Sequence, residues 1–139
     1  MSLFNVFNVS GSAVSAQSQR LNIVASNLSN ADAVAGPDGK PYKARQVVFQ
    51  TLLMGQQGQP AAAAGVRVSE ITESQEPGRR VLDPAHKSAD ANGYVTYSNV
   101  NVMEEMVNMM SASRSYQNNI EVMNTARSLL LKTLQIGQS

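Results

Sequence analysis

The sequence predicts an α+β chain in which long N- and C-terminal helices pair as a coiled-coil-like hairpin around a small β-rich middle. Apolar residues recur every seven positions at both ends. That period is lost between residues 32 and 98, where apolar and polar residues alternate between turns rich in Gly, Pro and Asp. A spacing of seven is nearly two helical turns, whereas alternation is the period of a strand.

In the first segment Phe7, Val14, Leu21 and Leu28 stand seven apart, with Phe4, Ala13, Val24 and Ala25 beside them. They form one apolar stripe on a helix from Phe4 to about Ala31, roughly 40 Å long at 1.5 Å per residue. Gly11 interrupts it at a cost of about 1 kcal/mol relative to alanine. The last segment repeats the pattern over a longer run. Val102, Met109, Tyr116, Met123 and Leu130 stand seven apart, and Met106, Ile120 and Leu134 fill the +4 positions, where Ser113 and Arg127 weaken the series. Glu104 and Glu105 near the start, and Arg127 and Lys132 near the end, suit the helix dipole, and Gly137 suits a stop. A stripe sustained for more than four heptads argues for a helical partner.

Between the helices, residues 33–41 read as a loop. Its Pro37-Asp38-Gly39 turn combines a preset φ with a glycine that accepts φ > 0. Residues 42–53 read as a strand centred on Val47, Val48 and Phe49, and residues 55–65 as a flexible, low-complexity excursion. From 65 to 72, Val66, Val68 and Ile71 alternate with Arg67, Ser69 and Glu70, the register slipping once. Shorter strands are expected at 79–82 and 94–97. So few short strands bury little, and one small sheet leaning on the helices is expected. The expected organisation is an N-terminal helix 1–31, a β-rich domain 32–98 with its loop 55–65, and a C-terminal helix 99–139.

Composition excludes several functions. With no cysteine among 139 residues there is no disulfide framework, thiolate metal site or thiol nucleophile. A net charge of +1 provides no general field for nucleic acid or acidic lipid. The polar surface rests on 16 Ser, 12 Asn and 11 Gln, which hydrogen-bond widely but repel other copies weakly. The start has no Lys or Arg before Arg20 and no uninterrupted apolar core, so it lacks the layout of a cleaved signal peptide. No stretch approaches the roughly 18 apolar residues of a membrane span.

No catalytic or cofactor constellation is expected either. His86 is the only histidine, and a metal site needs three or four convergent ligands. Residues 88–93 echo a calcium loop faintly, but the first aspartate is missing and Asn99 stands where a bidentate Glu is required. Asn92-Gly93 reads as a turn. Arg79-Arg80 is offset by Glu73 and Glu76 and has no interleaved aromatic, so no nucleic-acid platform is expected. Asn8-Val9-Ser10 and Asn27-Leu28-Ser29 are formal glycosylation sequons on a helix face and are discounted. Five of the seven methionines, Met103, Met106, Met109, Met110 and Met123, lie in the last helix. They suit either a core or an adaptable contact surface.

Ala25-Ser26-Asn27-Leu28-Ser29-Asn30-Ala31, preceded by Ala16-Gln17-Ser18-Gln19-Arg20-Leu21, resembles the N-terminal signature of the flagellar basal-body rod and hook family. The stretch 99–137 resembles the second half of that signature. In the middle, Asp83-Pro84-Ala85-His86, with Ala89-Asp90 and Gly93-Tyr94-Val95, is similar to the proximal rod members, Lys87 replacing a frequent Pro. The resemblance implies a structural subunit of the proximal rod with terminal helices in an inner tube and a β-rich part outside. It also implies export through the flagellar type III apparatus without signal cleavage, and polymerisation in the periplasm into a drive shaft enclosing the export channel.

The expected partners are other copies and other rod proteins, together with the export apparatus; no cofactor, metal, nucleic acid or small-molecule substrate is expected. The expected subunit interface comprises Phe7, Val14, Leu21 and Leu28, packed within and between subunits against Val102, Met106, Met109, Tyr116, Ile120, Met123, Leu130 and Leu134. Asn27 and Asn30 join it with two roles open: stopping the first helix by local hydrogen bonds, or bonding between subunits. The competing reading is a helical binding module or adaptor of a type III export system.

Overall fold

The computed structural model describes residues 2–54 and 63–138. Two helices, α1 (Leu3–Ser29) and α2 (Val102–Gly137), flank the strands β1 (Arg45–Met54), β2 (Ala63–Glu73), β3 (Arg80–Leu82) and β4 (Tyr94–Thr96). The helices are 27 and 36 residues long, about 40 and 54 Å at 1.5 Å per residue.

Uncharged polar side chains set the helix ends. Ser2 caps α1 by accepting the Asn5 N–H at 3.3 Å. Asn30 closes it, donating its backbone N–H to the carbonyls of Ser26 and Asn27 and its side-chain amide to Ser26 O at 2.8 Å. Asn101 caps α2 by accepting the N–H groups of Met103 and Glu104, and Glu104 and Glu105 occupy the first turn, where the dipole favours negative charge.

The helices pack antiparallel: the start of α1 lies against Ala126 and Leu130, and Asn27 meets Glu105. The seam itself is built from small and polar residues. Ser10, Ala16, Val24 and Asn27 are buried on α1, and Glu105, Ala112 and Ala126 on α2. The apolar stripes expected from the sequence lie beside this seam. Val14, Leu21 and Leu28 stand four residues after Ser10, Gln17 and Val24, and Met109, Tyr116 and Leu130 stand four after Glu105, Ala112 and Ala126. Positions i and i+4 differ by only about 40° around a helix of 3.6 residues per turn. The inner column therefore brings the backbones together, and the bulky column remains half-buried along one side.

One seam residue is poorly matched. The side-chain carbonyl oxygen of Gln17 is buried without a hydrogen-bond partner among the described residues. Gln17→Leu removes that acceptor at similar volume and should stabilise the chain by about 1 kcal/mol, raising the Tm by roughly 3 °C. Thermal unfolding by circular dichroism measures this.

The strands form two separate antiparallel pairs, β1–β2 and β3–β4, rather than the single sheet expected. In the first pair the register runs from Arg45↔Glu73 to Met54↔Ala63 and shifts between Val48 and Phe49, leaving Ser69 as the extra residue. This bulge falls where the alternation slips in the sequence. Ala63, Ala64 and Gly65, expected in the loop, pair with β1; residues 55–62 of that loop lie outside the described residues. Beyond the open end of the first pair, the Asn99 side-chain oxygen accepts the Ala44 N–H at 2.7 Å and its amide donates to Glu76 O at 2.9 Å, tying the approach to α2 to the chain flanking β1 and β2.

The loop between β3 and β4 turns on Asp90. One carboxylate oxygen accepts the Asn92 and Tyr94 amides at 2.8 and 2.9 Å, and the other accepts from Arg80 at 2.9 Å. Gly93 follows at φ +81°, and Gly39 of the other expected turn has φ +71°. The Tyr94 amide is the main cause holding the Asp90 carboxyl below its ordinary value; desolvation opposes it, while the Asn92 amide and Arg80 add to it. A carboxylate with a lowered folded pKa contributes stability that is complete above about pH 5 and is lost as pH falls through the folded value. The unaltered chain should therefore lose β3–β4 structure below about pH 4, and Asp90→Asn should flatten that loss. Amide chemical shifts of Tyr94 and Asn92 across pH 2–7 check this.

Candidate assembly interface

The elements meet at Asn27, whose burial is complete. Its side-chain oxygen accepts the Tyr42 hydroxyl and the Arg45 N–H, both at 2.9 Å. Its amide donates to Arg45 O at 2.8 Å and to a Glu105 carboxylate oxygen at 3.1 Å. These four bonds use the full hydrogen-bonding capacity of an asparagine amide. One residue of α1 thus holds the start of β1 and the first turn of α2. Ser26 adds a contact to the Tyr42 hydroxyl at 3.3 Å, and Arg20 donates across the helix pair to Asn108 at 3.2 Å.

A second clamp holds the far end of the hairpin. Ser12 donates its hydroxyl to Val9 O at 2.7 Å and accepts the Val66 N–H at 3.1 Å. Gly65 permits this approach, because a Cβ there would lie 2.7 Å from the Ser12 hydroxyl oxygen and 3.3 Å from its Cβ. Asn27 and Ser12 are about 22 Å apart along α1 at 1.5 Å per residue, so the hairpin is pinned at both ends. Ser98 holds the return into α2, donating its hydroxyl to Ala31 O at 2.6 Å and its N–H to Ala33 O at 3.0 Å.

The residues expected at the interface divide into three groups. Phe7, Val102, Met106 and Leu134 are exposed. Val14, Leu21, Leu28, Met109, Tyr116, Ile120, Met123 and Leu130 are half-buried beside the seam. Asn27 is committed to tertiary bonds in its own chain, and half-buried Asn30 closes α1 locally. The sequence reading did not single out Ser12, Tyr42, Arg45 and Ser98 as anchors, nor Asn99 and Glu105 as the ties they prove to be. The signal for Glu105 was present: it shares a seven-residue column with Ala112, Asn119 and Ala126, but small and polar residues do not register as a stripe.

Among the described residues no group of His, Asp and Glu could hold a metal ion, and no helix is long and apolar enough to cross a membrane. Exposed Val107, Met110, Leu129 and Leu131 add to the apolar side chains on the outside of α2. Two long helices closed by small and polar contacts, with bulky residues left half-buried or exposed beside the seam and no metal-ligand group among the described residues, have the character of a structural protein rather than of a ligand site. The two ends are also where the chain matches known families: residues 7–37 match the flagella basal body rod protein family, and residues 91–136 match the C-terminal family of flagellar basal body rod FlgEFG proteins.

Over 138 residues the chain is 56% identical to the flagellar basal-body rod protein FlgC of Escherichia coli O6:H1, covering 99% of this chain and 100% of that protein. It is 58% identical over 138 residues to FlgC of Salmonella typhimurium strain LT2, with the same coverage. With FlgC of Buchnera aphidicola subsp. Baizongia pistaciae the identity is 37% over 140 residues, again 99% and 100% of the two chains. The chain belongs to the FlgC family of flagellar basal-body rod proteins. It is a structural component of the flagellar rod, which serves motility, and assembles with other rod proteins.

Proposed function

We propose that this chain polymerises with its own copies and with other rod proteins through its terminal helices, forming the proximal rod as a helical drive shaft. The shaft transmits torque and encloses the export channel, and the subunit catalyses no reaction. Residues 1–31 and 99–139 make the rod core, and 32–98 the outer β-rich part. The chain reaches the periplasm through the type III export apparatus without a cleaved signal; the absence of cysteine suits a chain that crosses unfolded into an oxidising compartment.

The observation that carries this reading is the seam. A pair of helices closed through Ser10, Ala16, Ala112 and Ala126 leaves Met109, Tyr116, Met123 and Leu130 beside it with apolar surface still open to solvent. A column of bulky apolar side chains left partly open to solvent along a helix flank supports a contact surface there. Light scattering across a concentration series tests it: growth into large particles is expected. A discrete small oligomer that stops growing would support the adaptor reading instead.

A further inference from the structure

The turn between β3 and β4 holds the one Asn-Gly pair of the chain, Asn92-Gly93. Asparagine is thermolabile because its side-chain carbonyl carbon is open to attack by the main-chain nitrogen of the next residue. A side chain on that next residue hinders the attack, and glycine removes the hindrance. Eleven of the 12 asparagines precede a residue with a side chain. Asn92 is exposed, and its own side chain makes no hydrogen bond among the described residues. By contrast, the side chains of Asn27, Asn30, Asn99 and Asn101 are hydrogen-bonded, and the others lie within α1 and α2.

The folded turn withholds the nucleophile. The Gly93 N–H donates to the Asp90 backbone carbonyl at 2.9 Å. On either side, the Asn92 and Tyr94 amides are held by one Asp90 carboxylate oxygen at 2.8 and 2.9 Å. Closing a ring between Gly93 N and Asn92 Cγ requires loss of the Gly93 amide proton and rotation of the peptide joining the two residues. Both steps need these bonds to open first, so the reaction is confined to the fraction of time that the turn is open.

We propose that Asn92 is a covalent modification site: a succinimide forms there when the β3–β4 turn is open, and the folded turn suppresses it. Hydroxide takes the Gly93 amide proton, Gly93 N bonds to Asn92 Cγ, and the Cγ–Nδ2 bond breaks. The leaving nitrogen takes a proton from water and departs as ammonia, which regenerates the hydroxide. Water then opens the ring at either carbonyl and leaves aspartate or isoaspartate. The sum is asparagine plus water giving a carboxylate plus ammonia, with nothing oxidised or reduced. Isoaspartate routes the main chain through the former side chain and lengthens it by one methylene. The Gly93 and Tyr94 amides then lose their register with Asp90, and the Leu82↔Tyr94 end of the β3–β4 pair cannot close as before. The mark persists, so it accumulates in copies whose turn has stood open, whether or not they have assembled.

Peptide mapping by mass spectrometry tests this on the full-length chain, aged at neutral pH with and without guanidinium chloride. In denaturant, position 92 should be the first asparagine modified, and Gly93→Ala should slow it severalfold; no folding of that variant is needed there. In the folded chain the rate should be at least about tenfold lower than in denaturant, and the ratio should match the open fraction reported by hydrogen exchange of the Gly93 amide. Asp90→Ala should raise the folded rate towards the denatured one, while Asp90→Asn, which keeps an acceptor oxygen, should leave it low. Neither variant should change the rate in denaturant. Refolded chains carrying isoaspartate should lose protection of the Tyr94 and Leu82 amides with their helical circular dichroism intact. Earlier modification of another asparagine in denaturant, or equal rates in the folded and denatured chains, would overturn the proposal. So would a folded rate that departs from the Gly93 open fraction, a readout that requires no variant.

Discussion

Asn27→Asp destabilises the chain by about 3–5 kcal/mol at neutral pH, the range for leaving a charge buried and uncompensated. The side-chain amide that donates to Arg45 O at 2.8 Å and to Glu105 at 3.1 Å becomes an oxygen facing two acceptors. The added charge has no room to escape, because Asn27 is fully buried. The two bonds accepted from Tyr42 and the Arg45 N–H survive, so the loss is specific to the donor side. Asn27→Ala should cost less, about 2–3 kcal/mol, since it leaves groups unpaired without adding charge. Thermal unfolding should show the Asp variant roughly 10 °C or more below the unaltered chain. A fall of only one or two degrees would mean that the node does not tie α1 to β1 and α2.

Leu21→Asp and Leu130→Asp act on assembly rather than on the fold. Both residues are half-buried on the flanks of the seam, so an aspartate can reach water in the single chain at a cost of about 1–2 kcal/mol. In the proposed assembly the same charge would be trapped against apolar neighbours, where an unpaired buried charge costs about 3–5 kcal/mol at each contact. Incorporation into rods, and hence motility, should be abolished while the chain is still synthesised and helical. Swimming assays with fractionation of basal bodies check this. Normal rods from both variants would show that the flanking columns are not where subunits meet.

The pattern of both helices, the two longer strands and the slip in the second could be read in the sequence, because each rests on local periodicity. The slip after Val68 became the bulge at Ser69, and the positive φ of Gly39 and Gly93 came from turn chemistry. What could not be read was which of two adjacent columns turns inward. Heptad spacing is satisfied equally by Tyr116 and by Ala112, and only backbone approach between α1 and α2 selects the smaller residue. The number of sheets was misjudged for a related reason. Which strands pair is settled by contacts far apart in sequence, such as the bonds of Asn99 to Ala44 and Glu76, residues 55 and 23 positions away, and these leave no local mark. The Asn27 signature was visible as a motif, but its partners come from two distant parts of the chain, Tyr42 and Arg45 at the entry to β1 and Glu105 at the start of α2.

The central claim is that bulky residues beside the seam, spared from the closure of the helix pair, are the surface on which the rod is built. A density map of an assembled rod containing this chain tests it most directly. In that map α1 and α2 are expected to keep their small-residue seam and the Asn27 node, with Leu21, Met109, Tyr116 and Leu130 in contact with neighbouring chains. A map in which these residues face solvent, or in which the seam opens to exchange helices between subunits, would contradict it.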